Sequence, residues 1–264
     1  MNTTLVIARN TISEALRRKI LNAFLMVGIA VLVLTFAFQQ LSPRSELTLI
    51  RGMGLGIISL AGLFITIILT INMLPVEIER RTIYTILSKP VRRSEFLLGK
   101  YFGALGTILI NILLMSLVFV AAVAVKQIIG GTAVTAFDLF KGVLLIYMQL
   151  LLLCSLAIFL STFLTPLVNF FLSLSLFVVG NLSSFTEDLA KNASNILSKG
   201  FFTVVHYLVP NFGNFNLINP LVNPDAAAQM RNEFQFISGN ILYALAYSTL
   251  LLLLAILVFD RREV

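Results

Sequence analysis

Two side chains with reactive chemistry occur once each in this 264-residue chain, His206 and Cys154. A histidine that holds a metal or works as a general base needs company. His206 has no second histidine, no nearby cysteine, and acids (Asp225, Glu233) only at a distance in sequence. It reads as a structural histidine at a membrane surface. Cys154 follows the run Leu150–Leu153, so it reads as a small buried apolar side chain, and a single cysteine forms no disulfide within the chain. Ser173 and Ser175 are hydroxyls without a base in sight. No phosphate loop of the form GxxxxGK[ST] exists: Gly99-Lys100 lacks both the upstream glycine and the following Ser or Thr. The expectation is no catalytic, cofactor-binding or metal site, hence no enzyme.

The elements that would position any site are dictated by composition. Apolar residues make up 58% of the chain and charged residues 12%, about half the charge of a soluble domain. Such a chain cannot cover a water-soluble globule, and the bilayer is the apolar solvent that resolves this. A helix crosses the hydrocarbon core with about 20 apolar residues. Six stretches qualify: 20–38, 52–74, 101–125, 142–163, 166–185 and 239–259. The fifth is the most polar, carrying Asn169, Ser173, Ser175 and Asn181 after Pro166. The sequence thus predicts an all-α integral membrane protein, 1–264 forming one transmembrane domain of six spans.

Charge orients it. With both termini cytoplasmic, twelve of the nineteen Lys and Arg fall in the short inner segments, as the positive-inside rule requires. No predicted span interior contains Asp, Glu, Lys, Arg or His, so no proton relay is available and transport would draw its energy from a partner. Residues 1–19 are too polar to cross. On a helix, Leu5, Ala8, Ile12, Ala15, Leu16 and Ile20 share one face, opposite Asn10, Ser13, Glu14, Arg17 and Arg18, which predicts an amphipathic helix in the cytoplasmic interface.

The 75–100 loop is the most distinctive stretch. It places Glu77, Glu79, Arg80, Arg81 and Thr82 before an apolar ridge (Ile83, Ile86, Leu87), turns at Ser88-Lys89-Pro90, and continues through Arg93 into a helix that Ser94 can cap. A charged helix with an apolar ridge suits a groove in a soluble partner. The residues Glu77, Glu79, Arg80, Thr82, Leu87, Ser88, Pro90, Arg93, Gly99, Lys100 and Gly103 resemble the loop signature of type-2 ATP-binding-cassette exporter permeases. Arg81 stands where that family often has glycine. The layout of the whole chain resembles the family too, closing on Phe259-Asp260-Arg261-Arg262. The resemblance implies that Glu77 to Pro90, with Arg93, docks a separate ATPase subunit that holds ATP and Mg. It also implies a dimer of permeases, identical or paralogous, in the inner (plasma) membrane of a bacterium.

The outer loop, 186–238, is too long for a simple connector, and Pro210-Asn211-Phe212-Gly213-Asn214 breaks any helix in it. The resemblance implies short re-entrant helices there that gate or line an exit. Gly52-x-x-x-Gly56 and Gly99-x-x-x-Gly103 allow close helix approach and read as packing. Asn72, Asn111, Gln149, Asn169 and Asn181 must find partners in lipid, as glue between helices or as pathway lining. So apolar an interior favours an amphiphilic cargo over a bare ion or nucleic acid. The expected function is the permease half of an ATP-driven exporter. The alternative is a non-transporting membrane scaffold that passes ATPase motion to a periplasmic client on 186–238.

Overall fold

The computed structural model describes residues 3–40, 47–75, 92–130, 136–192, 196–215 and 233–261. Among these residues it is helical apart from short turns and connections, with no strand. In chain order the helices are α1 (Thr3–Leu16), α2 (Lys19–Gln40), α3 (Leu47–Ile71), α4 (Arg93–Gly130), α5 (Ala136–Ser161), α6 (Pro166–Asn181), α7 (Ser183–Asn192), α8 (Ile196–Leu208) and α9 (Glu233–Arg261). Five of them, α2, α3, α4, α5 and α9, are long and apolar enough to cross a membrane. At about 1.5 Å per residue, the 16-residue α6 reaches only about 24 Å, short of a full hydrocarbon core.

The helices stand around α5, which packs against α9, α3, α4 and α6. Its side chains Leu145, Leu150, Leu152, Leu153, Cys154, Ala157 and Ile158 are sealed from solvent. Leucines at Leu113, Leu117, Leu242, Leu253 and Leu257 stay exposed on α4 and α9, an outward apolar surface that only lipid or another protein can cover.

Two chain breaks have visible causes. Between α1 and α2, Arg18 turns back to Glu14 at 2.6 Å and the Asn22 amide donates to the Leu16 carbonyl at 3.2 Å, capping an orphan acceptor. Between α5 and α6, Thr165 is extended and Pro166 opens the next helix, where its missing N–H costs nothing.

The structure amends the expected face of α1. Its buried residues are Ala8, Thr11 and Ala15, whereas Leu5 is 65% exposed, with Leu16 and Ile20 exposed beside it. Small residues point inward because α1 lies along the glycine side of α4. Half of the predicted apolar face packs on protein and half points outward. The helix expected to follow a Ser94 cap within 75–100 is α4, which starts at Arg93 with Glu95 in its first turn. Ser94 is therefore inside the helix, not its cap. Lys100, expected just before the third span, is buried within α4 with its ammonium 5.7 Å from the centre of the Phe96 ring.

Candidate functional site

Candidate sites lie at the two ends of the bundle. At one end, where α4 begins, Glu77, Glu79, Arg80, Arg81, Thr82, Leu87, Ser88 and Pro90 fall outside the described residues, and Arg93 is the member of that set the structure places. Arg93 is half-buried at the first turn of α4. Its Nη1 donates to the Phe259 carbonyl at 3.0 Å and the Asp260 carbonyl at 3.3 Å, at the far end of α9. The guanidinium carbon also stands 5.8 Å from the centre of the Phe259 ring, which stacks on Phe96 at 6.5 Å.

Nearby, α1 seats on the glycines of α4. A Cβ at Gly99 would stand 2.8 Å from Ile7 Cβ and 3.0 Å from the Thr4 carbonyl. At Gly103 it would stand 2.8 Å from the Ala8 carbonyl. Backbone atoms cannot step aside, so only glycine allows this approach. The other expected pair behaves differently: a Cβ at Gly56 meets nothing within 4 Å, and Gly52 is half-buried.

The opposite end holds a site of irregular backbone. After α8, the chain runs through Val209–Phe215 in non-helical and 3-10 form, with Phe212, Gly213 and Phe215 buried. Backbone at membrane depth is tolerated only when its polar groups are satisfied inside protein. Three helices do this here. On α5, Gln149 is 4% exposed and donates from Nε2 to the Phe212 carbonyl at 3.0 Å and to Asn181 Oδ1 at 3.2 Å, while its Oε1 accepts from Ser59 of α3 at 3.3 Å. On α6, the Gly180 carbonyl accepts the Phe212 N–H at 3.0 Å, and a Cβ at Gly180 would lie 2.6 Å from the Phe212 ring. On α9, the Tyr243 hydroxyl accepts the Asn211 N–H at 2.9 Å, Tyr247 donates to the Leu208 carbonyl at 2.8 Å, and Asn240 donates to the Asn214 carbonyl at 3.1 Å. Phe177–Phe212 and Phe215–Tyr243 ring contacts fill the space between.

These contacts explain why the segment 166–185 does not run on as one helix. The Gly180 carbonyl, which would carry the helix forward, is taken by Phe212, and α6 closes with Leu182 N–H bonding to both Val178 and Val179 carbonyls. Tyr247 lies 14 residues beyond the start of α9 at Glu233, about 21 Å along it, so the end of α8 is tied to the body of α9 and not to its tip.

Of the amide residues singled out in the sequence, Asn111 bonds its own helix at the Thr107 carbonyl. Asn169 crosses from α6 to the Ala157 carbonyl of α5 at 3.0 Å and accepts from Ser173 at 2.8 Å. Asn72 lies in the turn after α3. Reasoning from sequence missed Gly180, Asn240, Tyr243 and Tyr247. The recurrence of Asn240, Tyr243 and Tyr247 along one side of a helix was the available signal.

Chemistry is sparse. Among the described residues no three His, Cys, Asp or Glu side chains come together to hold a metal. Cys154 is sealed, and His206 on α8 has a buried Nδ1 without a hydrogen-bond partner. On α7 the Lys191 hydrogen bond and charge hold the Glu187 carboxyl below its ordinary range, across 2.6 Å in an exposed pair.

The fold defines a multi-pass helical membrane protein in which, among the described residues, polar side chains tie segments together. A family model described as ABC-2 family transporter protein matches residues 4–264, and the chain belongs to that family. It is thus a membrane component of ATP-binding-cassette transport. No curated protein matches it.

Proposed function

We propose that this chain is the permease subunit of an ATP-driven exporter, with hydrolysis of Mg-bound ATP confined to a separate ATPase subunit. The family match across nearly the whole chain carries this reading. In it, six spans run with both termini in the cytoplasm, α6 being a sixth, short span completed by Val209–Phe215. The chain works as a dimer in the inner membrane of a bacterium.

The ATPase docks on the loop through Glu77, Glu79, Arg80, Arg81, Thr82, Leu87, Ser88 and Pro90. Its closure on ATP moves the helices and opens the outer end, where Val209–Phe215 is the closure. Cargo is amphiphilic, because the buried side chains of α3 and α5 are apolar apart from Thr66, Thr70, Gln149, Ser155 and Ser161.

The test is affinity capture of the tagged chain from native membranes in mild detergent, with mass spectrometry of what is retained. Recovery of a protein with a phosphate-binding loop, lost when Glu79 and Arg80 are both charge-reversed, is the expected result. Capture without any nucleotide-binding partner would remove the energy source and the exporter reading with it. An ATPase that turns over without moving any amphiphile in vesicles would point to the scaffold.

A further inference from the structure

We propose that Arg93 is a positioning residue that links the cytoplasmic loop to α9, and through α9 to the outer closure. The inference rests on the reading above for its purpose, but its geometry does not need a partner.

The last four carbonyls of a helix have no acceptor role within it. In α9 these include Phe259 and Asp260, and Arg93 satisfies both while placing a positive charge at the negative end of the helix dipole. The same charge sits in the first turn of α4, where the dipole of its own helix disfavours it. The position makes physical sense through α9, not through α4. The Phe259 ring, 2% exposed, lies between the Arg93 guanidinium and Phe96, so the contact is packed as well as hydrogen-bonded.

This contact joins elements that the chain does not. Arg93 follows the loop directly, whereas α9 is 140 residues further on at its start, Glu233. The same helix α9 then holds Leu208, Asn211 and Asn214 through Tyr247, Tyr243 and Asn240. From Phe259 to Asn240 is about 29 Å along a single helix. One helix is therefore held by the first turn of α4 at one end and holds Val209–Phe215 at the other.

The experiment is hydrogen exchange with mass spectrometry on the full chain in lipid nanodiscs, comparing wild type, Arg93→Ala and Arg93→Lys. Arg93→Ala is expected to speed exchange about tenfold in 255–261, because a charge-assisted cap is lost. It is also expected to speed exchange about two- to threefold in 209–215, with 99–107 unchanged. Arg93→Lys, which keeps a charge and one donor, should fall between. Change confined to 255–261 would make Arg93 a cap and nothing more, and would overturn the link. An equal rise everywhere, including 99–107, would also overturn it as simple loss of stability. Affinity capture separates the two readings: Arg93→Ala should still retain the ATPase, and its loss with unchanged exchange would return Arg93 to docking.

Discussion

Replacing Gln149 with Met keeps side-chain length and removes every polar atom, which isolates the hydrogen bonds that hold the outer segment. Three bonds disappear, to Phe212 and Asn181 and from Ser59. Hydrogen bonds between side chains in membrane bundles average about 0.6 kcal/mol each, so the three together contribute about 2 kcal/mol. The Phe212 carbonyl, buried and stripped of its partner, adds a penalty of about 1 kcal/mol at the low end of the range for an unsatisfied group. The total of about 3 kcal/mol corresponds to roughly a hundredfold change in a local opening equilibrium. Exchange at the Asn211 and Phe212 amides reads that opening, since both protons are held inside the segment, by Tyr243 and Gly180. Wild type and Gln149→Met, in nanodiscs at one pH and temperature, should differ by about two orders of magnitude across 209–215 and little across 99–107. A difference under about threefold across 209–215 would show that Gln149 is packing, not a latch.

Two further substitutions probe the close approaches. Gly103→Val should push α1 from α4, since its branched side chain must occupy space held by Thr11 and the Ala8 backbone; overpacking of about 1–3 kcal/mol predicts faster exchange and trypsin cleavage in 3–18 with the spans intact. Unchanged cleavage would mean that α1 can shift at no cost. Gly180→Ala should displace Pro210 and Phe212 and raise maleimide access to a cysteine placed at Gly213, an increase absent if α6 simply rotates.

What the sequence makes legible is what short-range physics decides. Apolar runs of about 20 residues force helices in lipid, and the all-helical membrane fold and the family follow from them and from the loop residues. Boundaries that depend on distant partners are not legible. Pro166 announces the start of α6, but nothing within 166–185 announces its end, because the Gly180 carbonyl is claimed by an amide 32 residues away. Gly99 and Gly103 read as a place of close helix approach, but not with which helix; the neighbour is the short α1, whose Thr4, Ala8 and Thr11 present little bulk. Arg93 reads as part of the docking signature, and its acceptors lie 166 and 167 residues further on. Gln149 was visible as a polar group needing partners in lipid, while the identity of those partners was not.

The two halves of the bundle differ in what it takes to separate them. Around Leu150 to Cys154 the contacts are apolar and sealed, so parting them means wetting hydrocarbon at about 25 cal/mol per Å2 with nothing returned. At Val209–Phe215 the contacts are hydrogen bonds plus a few rings, and water that enters can replace each broken bond, leaving a net loss of only about 1 kcal/mol apiece. A segment that is satisfied when closed and nearly satisfied when wet is a seam that opens at low cost. The short α6 creates it, because a full-length helix there would leave no non-helical backbone to release. In the proposed reading, driving such a seam needs a displacement of α9 more than a large force, and a helix held at one end by Arg93 and toward the other by three hydrogen bonds would deliver that displacement.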